Sequence, residues 1–292
     1  MAGVSVFDIF KIGIGPSSSH TVGPMKAARA FAAAAGEAGA ARYHVTLHGS
    51  LAWTGKGHGT DAAILLGLAG HDPETIDPDA IDAILADVRS EGRVDIDFNY
   101  QRELERHTNG MVFEALDEDG KTLKSDTYFS LGGGFIARGD EPESVGTDAE
   151  VRLPYSTSET LLQTAAAHEM TIAELVMHNE TAWRDAADIR RGLDAIWEAM
   201  RACMDRGLRA EGVLPGKMQV ARRASKLYRV LSRRGDPQPL DAMEWVNAWA
   251  IAVNEENAAG GRVVTSPTNG AAGIIPAVRR FYATFSPEAS EE

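Results

Sequence analysis

Residues Lys11–Met25 read KIGIGPSSSHTVGPM, and the fold of the first part of the chain depends on this stretch. Its glycines and prolines interrupt any long helix or strand, so the sequence predicts a loop. Consecutive side chains in the middle of the loop carry hydroxyls and one imidazole: Ser17, Ser18, Ser19, His20 and Thr21. Hydroxyls donate hydrogen bonds to carboxylate or phosphate oxygens, and histidine exchanges protons near neutral pH. The residue types therefore favour a site for a small anionic ligand.

The segments on either side of this loop predict regular structure. Before it, the loose alternation of apolar residues over Val4–Ile14 predicts a strand. After it, the alanine-rich run Gly23–Ala35 predicts a helix. A loop that leads into a helix N-terminus presents free N–H groups and the positive end of the helix dipole, and both favour an anion. The alternative is a polar loop whose hydroxyls only cap the helix.

A second glycine-rich segment repeats this order of strand, loop and helix. It reads GSLAWTGKGHGTD at positions 49–61 and follows a strand predicted over Ala41–Leu47. Glycines flank His58 in its loop, and an apolar helix is predicted to start near Thr60. The chain thus carries a second histidine, His58, that lies between a strand and a helix as His20 does.

A third polar loop lies near the end of the chain, in AVNEENAAGGRVVTSPTNGAAGIIPAV at positions 252–278. A helix is predicted to end before Gly260, two valines predict a short extended segment, and small residues then start another helix. The polar side chains of this loop can donate or accept hydrogen bonds: Thr265, Ser266, Thr268 and Asn269. The alternative is a capped loop between two helices.

The periodicity of the sequence changes near its middle. In the first half strands alternate with helices, and Asp119–Gly120 predicts the turn of a β-hairpin. The second half instead shows the apolar spacing of amphipathic helices. The acidic stretch Arg138–Glu150 predicts a solvated linker between the halves. We therefore predict an α+β protein with an N-terminal α/β domain at residues 1–150 and an all-helical domain at residues 156–292.

One predicted helix of the second half is strongly basic. The run Lys217–Arg234 contains seven basic residues and no acidic one. Its basic side chains line one helical face and apolar side chains line the other; the basic set is Arg222, Lys226, Arg229 and Arg233. This pattern predicts a solvated charged face, and contact of that face with an acidic surface is the alternative.

The composition limits the classes of partner and compartment. The chain has 292 residues, of which 44% are hydrophobic and 24% charged, as in ordinary globular proteins. Its net charge of −13 argues against nucleic acid or an anionic membrane as the main partner. The first residues, MAGVSVFDIF, lack the pattern of a signal peptide, and no apolar run is long enough to span a bilayer. The sequence therefore predicts a cytoplasmic protein.

The chain has a single cysteine, Cys203. One thiol excludes an internal disulfide and a CxxC metal site. It also cannot hold an iron–sulfur cluster, which normally needs several thiolates. Because Cys203 follows Ile196 and Met200 at helical spacing, we expect it to be a buried core residue.

Several long motifs resemble those of one enzyme family. They are SVFDIFKIGIGPSSSHTVGPMKAA, GSLAWTGKGHGTD, ELVMHNE, EGVLPG, RRAS and WVNAWAIAVNEENAAGGRVVTSPTNGAAGIIPAV. Together they resemble the bacterial L-serine dehydratases, the L-serine ammonia-lyases that depend on an iron–sulfur cluster and use no pyridoxal phosphate. The resemblance runs from Val4 nearly to the end of the sequence.

The resemblance implies a reaction and a cofactor. It implies a [4Fe–4S] cluster in which one iron lacks a cysteine ligand and acts as a Lewis acid on L-serine. A base takes the Cα proton, hydroxide leaves, and aminoacrylate collapses to pyruvate and ammonia. The resemblance also implies a lyase of amino-acid catabolism that feeds gluconeogenesis, and we expect a homodimer.

Motif matching and residue chemistry together assign candidate roles. His20 and His58 are the candidate bases, because each lies in a glycine loop beside hydrogen-bond donors; which of them is the base stays open. The hydroxyls expected to hold the substrate carboxylate are Ser17, Ser18, Ser19 and Thr21. The side chains expected to line the site from the helical domain are Thr265, Ser266, Thr268 and Asn269.

The sequence departs from the family in its metal ligands. Family members continue past this C-terminus, and their cluster cysteines lie in that further segment, so no metal ligand is assigned here. Some relatives have a cysteine in the NGAxGI motif, where this sequence has Ala272. We therefore expect an incomplete helical domain and a chain that is inactive alone. It is a truncated gene product, part of an incomplete sequence, or one subunit of a split enzyme. The alternative is a non-catalytic ligand-binding or interaction protein, which the cysteine count favours for the isolated chain.

Overall fold

The computed structural model describes residues 2–36, 39–141, 147–235, 240–287 and residue 289. Within these residues the protein has a mixed sheet in its N-terminal part and helices in its C-terminal part. The predicted α+β fold class is therefore confirmed. Among the helices of the described residues, none combines the length and the apolar character that crossing a bilayer requires.

The N-terminal part alternates strands and helices, as its sequence predicts. Its elements are β1 (Ala2–Gly3), α1 (Val6–Ile9), β2 (Lys11–Ile14), α2 (Gly23–Gly36), β3 (Arg42–His48), α3 (Gly49–Thr54), α4 (Thr60–Leu68), α5 (Ile81–Glu91), β4 (Val94–Asn99), β5 (Gly110–Leu116), β6 (Thr122–Gly132), β7 (Phe135–Arg138) and β8 (Thr147–Glu150). A π-helical turn at Ser18–Val22 precedes α2, and a 3₁₀ turn at Gly55–His58 precedes α4. The predicted helix over Gly23–Ala35 and the predicted hairpin turn at Asp119–Gly120 are confirmed.

Five strands form the main sheet, in the order β4-β3-β5-β6-β7. β3 and β4 are parallel, and the other neighbours are antiparallel. α2 packs on β5 and β6 on one side and against α4 on the other. Phe31 of α2 stacks on Phe113 of β5 with 5.3 Å between ring centroids, and both side chains are fully buried. The core of the N-terminal part therefore lies between α2 and the sheet.

The C-terminal part is built from helices with one short strand. Its elements are α6 (Ser158–Ala167), α7 (Ile172–Glu180), α8 (Ala186–Arg209), α9 (Ala224–Arg233), α10 (Asp241–Ala258), β9 (Arg262–Thr265) and α11 (Ile274–Phe285). α8 and α10 pack along each other, and their core contains Met204, Trp249 and Val253. Cys203 belongs to the same core and is 4% exposed, as its spacing predicts.

A two-stranded ribbon joins the two parts. β2 pairs antiparallel with β9, so that Lys11 lies opposite Thr265 and Ile14 opposite Arg262. The predicted extended segment at Val263–Val264 is thereby confirmed, although it pairs with the N-terminal part. The ribbon places the loop after β2 beside the loop after β9, and these are two of the three polar loops of the sequence.

Two sequence predictions are wrong in detail, and a third is incomplete. Val4–Ile14 is not one strand, because Ser5 and Asp8 form a capping box that starts the short helix α1. The basic helix does not begin at Lys217, because Gly216 and Gln219 adopt positive φ values and α9 starts only at Ala224.

The acidic stretch Arg138–Glu150 is not only a linker. Its last residues, Thr147–Glu150, form β8 and pair with β1. Residues 142–146 of the stretch lie outside the described residues. The division into domains at residues 1–150 and 156–292 stays a prediction.

Candidate active site

The serine-rich loop, residues 15–22, folds back on itself through its own hydrogen bonds. The His20 N–H donates to Ser17 Oγ at 3.1 Å, and the Thr21 and Val22 N–H groups donate to the Ser17 carbonyl. The Ser17 N–H in turn donates to the Thr21 hydroxyl at 3.2 Å. The Ser17 hydroxyl therefore caps the π-helical turn that enters α2, so part of the hydroxyl-rich sequence has the capping role of the alternative interpretation.

Gly15 holds the start of this loop against the C-terminal part. Its N–H donates to the Gly261 carbonyl at 3.0 Å, and its peptide bond with Pro16 is cis. A Cβ at Gly15 would lie 1.9 Å from the Asn257 carbonyl oxygen, so a larger residue would force the backbone to move. The Asn257 side chain also donates to the Pro16 carbonyl at 3.1 Å. The end of α10 therefore fixes where the loop begins.

His20 uses both of its ring nitrogens within the protein. Its Nδ1 lies 2.9 Å from Ser19 Oγ, and its Nε2 lies 3.0 Å from Ser50 Oγ. Burial lowers the pKa of His20 below its usual value, and the positive charge of a protonated His58 lowers it further. His20 is therefore held in place and is kept neutral at physiological pH.

His58 lies beside His20 but keeps one nitrogen free. The ring centroids of the two histidines are 4.8 Å apart. His58 Nδ1 is 3.0 Å from the Thr54 carbonyl oxygen, which only accepts, so Nδ1 carries the proton of the neutral ring. Among the described residues Nε2 has no hydrogen-bond partner, and in the neutral ring it is the basic nitrogen. The Thr21 hydroxyl donates to the His58 carbonyl at 2.9 Å and ties the two loops together.

A cleft of about 880 Å³ opens between the two parts of the protein at these loops. Its N-terminal wall includes Pro16, Thr21 and His58, and its C-terminal wall includes Glu256 and Gly261. The wall also carries ionisable side chains of both signs: Lys56, Asp79, Asp82, Arg206 and Lys217. A cleft of this size with a histidine and a few polar groups suits a small polar substrate.

The third polar loop lies behind the cleft. Thr265 Oγ1 donates to Asn269 Oδ1 at 2.7 Å, and the Asn269 amide donates to Asn257 Oδ1 at 3.1 Å. Asn257 therefore links this loop to the serine-rich loop. Thr268 caps the short 3₁₀ turn at Asn269–Ala271, which agrees with the capping alternative.

The structure brings the predicted residues together in two groups. The serine-rich loop and His58 form one group, of which Thr21 and His58 lie in the cleft wall. The polar residues of the third loop form the other, and Thr265, Ser266 and Asn269 are buried there. Ser18 is also buried. Whether any of these side chains binds a substrate stays a prediction.

Asn257 is a residue that the sequence analysis misses. The run NEEN at positions 254–257 predicts only the end of a helix. Its contact with Pro16 depends on the pairing of β2 with β9, which no local pattern encodes. The available signal was an amide three residues before a pair of glycines, and it was too weak to single out Asn257.

Comparison with models of protein families gives two matches along the chain. Residues 5–141 match the serine dehydratase beta chain, and residues 167–291 match the serine dehydratase alpha chain. The chain belongs to the serine dehydratase family. The predicted family is thereby confirmed.

Curated relatives support this membership over nearly the whole chain. An L-serine dehydratase of Streptomyces coelicolor is 48% identical over 99% of this chain, which covers 68% of that protein. L-serine dehydratase 1 of Escherichia coli is 45% identical over 97% of this chain, covering 66% of that protein. An L-serine dehydratase of Helicobacter pylori is 35% identical over 95% of this chain, covering 65% of that protein. The chain thus spans about two thirds of the length of these relatives.

A [4Fe–4S] cluster does not fit the residues of this sequence. A cluster with one open iron needs three thiolates, and the sequence contains one cysteine. Burial, reinforced by the negative charge of Glu256, raises the pKa of the Cys203 thiol to about 12. Within the described residues no group of three or more histidine, cysteine or acidic side chains converges on a metal position. The residues of this sequence therefore do not supply the three thiolates that such a cluster needs.

Proposed function

We propose that this chain forms the substrate-binding part of an enzyme that converts L-serine to pyruvate and ammonia. The observation that carries the proposal is the basic Nε2 of His58, which has no partner in the described residues and belongs to a cleft wall lined by the serine-rich loop. Relatives named L-serine dehydratase, between 35% and 48% identical, support the choice of substrate.

His58 is the proposed general base. Its Nε2 takes the Cα proton of L-serine, hydroxide leaves from Cβ, and aminoacrylate is formed. Aminoacrylate then tautomerises to the imine, and water hydrolyses the imine to pyruvate and ammonia. The Nδ1 contact with the Thr54 carbonyl fixes the tautomer and stabilises the imidazolium that forms.

His20 is proposed as a positioning residue and not as the base. Both of its nitrogens contact serine hydroxyls, so neither is free for the substrate. Its lowered pKa keeps His20 uncharged. A protonated His58 therefore has no second positive charge in the neighbouring ring, whose centroid is 4.8 Å from its own. The hydroxyls and N–H groups of the serine-rich loop are the proposed partners of the substrate carboxylate.

We further propose that the thiolates for a cluster come from outside these 292 residues. In the active enzyme the reaction would serve amino-acid catabolism that feeds gluconeogenesis, in the cytoplasm and as a homodimer. The family membership supports these proposals.

The test uses an extended enzyme in which this sequence continues into the unmatched third of the Streptomyces coelicolor relative, from which the proposed thiolates would come. Pyruvate release from L-serine gives kcat and KM. We expect His58→Gln to lower kcat roughly 10²–10⁴-fold, as the loss of a general base does. Serine turnover in His58→Gln equal to that of the unsubstituted enzyme would contradict the assignment.

A non-catalytic ligand-binding protein is the second candidate, and the single buried thiol favours it for the isolated chain. Calorimetric titration of the 292-residue chain with L-serine separates the two. Binding to the chain with no turnover in the extended enzyme would support the second candidate and exclude the first.

A further inference from the structure

Arg206 connects the two walls of the cleft. It lies near the end of α8, and its Nη1 and Nη2 donate to the two carboxylate oxygens of Asp79 at 2.8 and 2.7 Å. Its Nε lies 2.7 Å from Glu256 Oε2. Asp79 belongs to the N-terminal wall and Glu256 to the C-terminal wall, and all three residues line the cleft. One guanidinium therefore pairs with a carboxylate from each wall. We call this set of ion pairs, Asp79–Arg206–Glu256, the tie.

Glu256 is the buried end of this tie. Its side chain is 1% exposed, and its second oxygen lies 2.7 Å from Arg222 Nη1. A Cβ at position 261 would lie 2.9 Å from Glu256 Oε2, so Gly261 leaves the room that the carboxylate needs. A buried carboxylate that two guanidiniums satisfy is costly to leave with one partner removed.

The tie continues from Glu256 into the serine-rich loop. Asn257 follows Glu256 and donates to the Pro16 carbonyl, while Gly261 accepts the Gly15 N–H. A displacement of the Glu256 carboxylate therefore acts on the backbone that starts the loop.

The other end of the tie reaches the His58 wall. Asp79 precedes α5, and α5 packs on α4 through Leu66 and Leu85. α4 begins at Thr60, two residues after His58. A second arginine of the C-terminal part contacts the same segment, because Arg262 Nη2 donates to the Ile76 carbonyl at 2.7 Å.

We infer that Arg206 is a positioning residue that sets the distance between the N-terminal wall of the cleft, which carries Thr21 and His58, and the C-terminal wall at Glu256, and so controls how tightly the cleft binds its substrate. The inference rests on the proposed function for the identity of that substrate. Arg206 is not a free receptor for the substrate carboxylate, since Nε, Nη1 and Nη2 all contact protein carboxylates. Hydrogen bonding to Asp79 raises the pKa of Arg206, in keeping with a permanently charged tie.

The first test measures the tie in the 292-residue chain. Asp79→Asn has the shape of the native residue but removes its charge, and the Asp79 side chain is 70% exposed, so packing stays the same. We expect hydrogen exchange in peptides covering residues 11–22 and 55–61 to speed up roughly two- to fivefold in this variant, the range of an exposed ion pair. We expect Arg206→Lys, which also loses the fork geometry at Glu256, to speed it up about tenfold.

The matched control is Arg201→Lys on the same helix. Arg201 pairs with exposed Glu198 and is not part of the cleft wall. We expect exchange in both peptides to stay at the native rate in this control. Asp79→Glu retains the carboxylate, so exchange in both peptides should stay close to the native rate in this variant. Equal exchange in Asp79→Asn, Arg206→Lys and the control would overturn the inference.

The second test measures the consequence for the reaction in the extended enzyme. We expect Asp79→Asn to raise KM for L-serine roughly two- to fivefold with kcat unchanged, because the tie acts on binding. The inference would be overturned if Asp79→Asn lowered kcat and left KM unchanged. It would also be overturned if Asp79→Asn made hydrogen exchange faster but left KM unchanged. If the extended enzyme does not act on L-serine at all, the proposed function fails, and the exchange measurement still decides whether Arg206 ties the two walls.

Discussion

His20 and His58 differ in what their ring nitrogens contact, although their sequence settings are alike. Each lies in a turn with glycine beside it and precedes a helix, but the turn of His20 comes after β2, whereas that of His58 comes after the helix α3. Only the folded structure distinguishes them. Ser50 contacts the Nε2 atom of His20, which leaves His20 no free nitrogen, whereas Thr54 contacts the Nδ1 atom of His58. The fully engaged ring is suited to hold a position, and the half-engaged ring is suited to move a proton.

The lowered pKa of His20 predicts a pH dependence of stability. Below the ordinary value of 6.5 the unfolded chain binds a proton at His20 that the folded chain does not bind. The free energy of unfolding therefore falls as the pH falls through 6.5 towards the lower, folded-state pKa. Urea unfolding at pH 7.5 and 5.5 should show this loss, and His20→Gln should reduce it. Burial lowers the pKa of His48 as well, so some dependence remains in the variant. An identical loss in the variant would contradict this prediction.

At the scale of single residues, the sequence indicated which residues are candidates for the site better than it indicated which residues contact each other. The hydroxyl run and the two histidines could be singled out because such a cluster has no role in a core. Arg206 and Asn257 could not, since each lies in a helix where a charged or amide side chain is ordinary. Their roles depend on partners far along the chain: Arg206 reaches back 127 positions to Asp79.

α1 and α7 meet through one buried carboxylate. Glu180 is 2% exposed and accepts the Ser5 hydroxyl at 2.8 Å and the Val6 N–H at 2.6 Å. Arg184 lies 3.4 Å from the same carboxylate. A residue of the helical part thus accepts hydrogen bonds from the first residues of α1 and its cap, and the two parts share one hydrogen-bonded group.

The removal of this carboxylate should destabilise the protein. Glu180→Ala leaves the Val6 N–H and the Ser5 hydroxyl without their acceptor, so we expect the free energy of unfolding to fall by about 3 kcal/mol. Denaturant unfolding measures it. The control is Glu159→Ala, an exposed glutamate on α6 whose carboxylate accepts a hydrogen bond from the Gln163 side chain, and it should change stability by less than about 0.5 kcal/mol. Similar values for both variants would show that Glu180 has no special role.

Elements with a strong local signal could be predicted from the sequence, and elements set by distant contacts could not. α2, α8 and the β5–β6 hairpin follow from alanine content, apolar spacing and an Asp–Gly turn. α9 starts late because Glu255, in α10, accepts the Arg223 and Ala224 N–H groups at 2.7 and 3.3 Å. A carboxylate from another helix therefore supplies the cap that the local sequence lacks.

At the scale of the whole molecule, the predicted domain boundary can be tested by limited proteolysis. We expect the first stable cuts between Arg138 and Tyr155. Trypsin should favour Arg152, which is exposed and follows β8, over Arg138, which lies in β7 and pairs with Asp126. Mass spectrometry of the fragments locates the cuts. Early cuts within residues 41–98 would show that the boundary is wrong.

The thiol content of the chain predicts how it responds to iron and sulfide. Three thiolates are needed for a cluster with an open iron, and Cys203 is buried with a pKa of about 12. We expect the 292-residue chain to bind no stable cluster after anaerobic reconstitution and to release no pyruvate from L-serine. Iron and sulfide analysis and the visible spectrum measure this. A stoichiometric cluster with serine-dependent pyruvate would point to a site built from Cys203 of more than one chain.

The β2–β9 ribbon also determines when the site can form on the ribosome. Ile14 and Asn269, whose hydrogen bond lies beside the ribbon, are 255 positions apart in the sequence. At about 5–20 residues per second, synthesis of the second strand follows the first by roughly 12–50 s. For that interval the nascent serine-rich loop has no β9 and no Asn257 to hold it. The two histidine loops belong to the part made first, yet their final geometry waits until Asn257 and Asn269 have emerged.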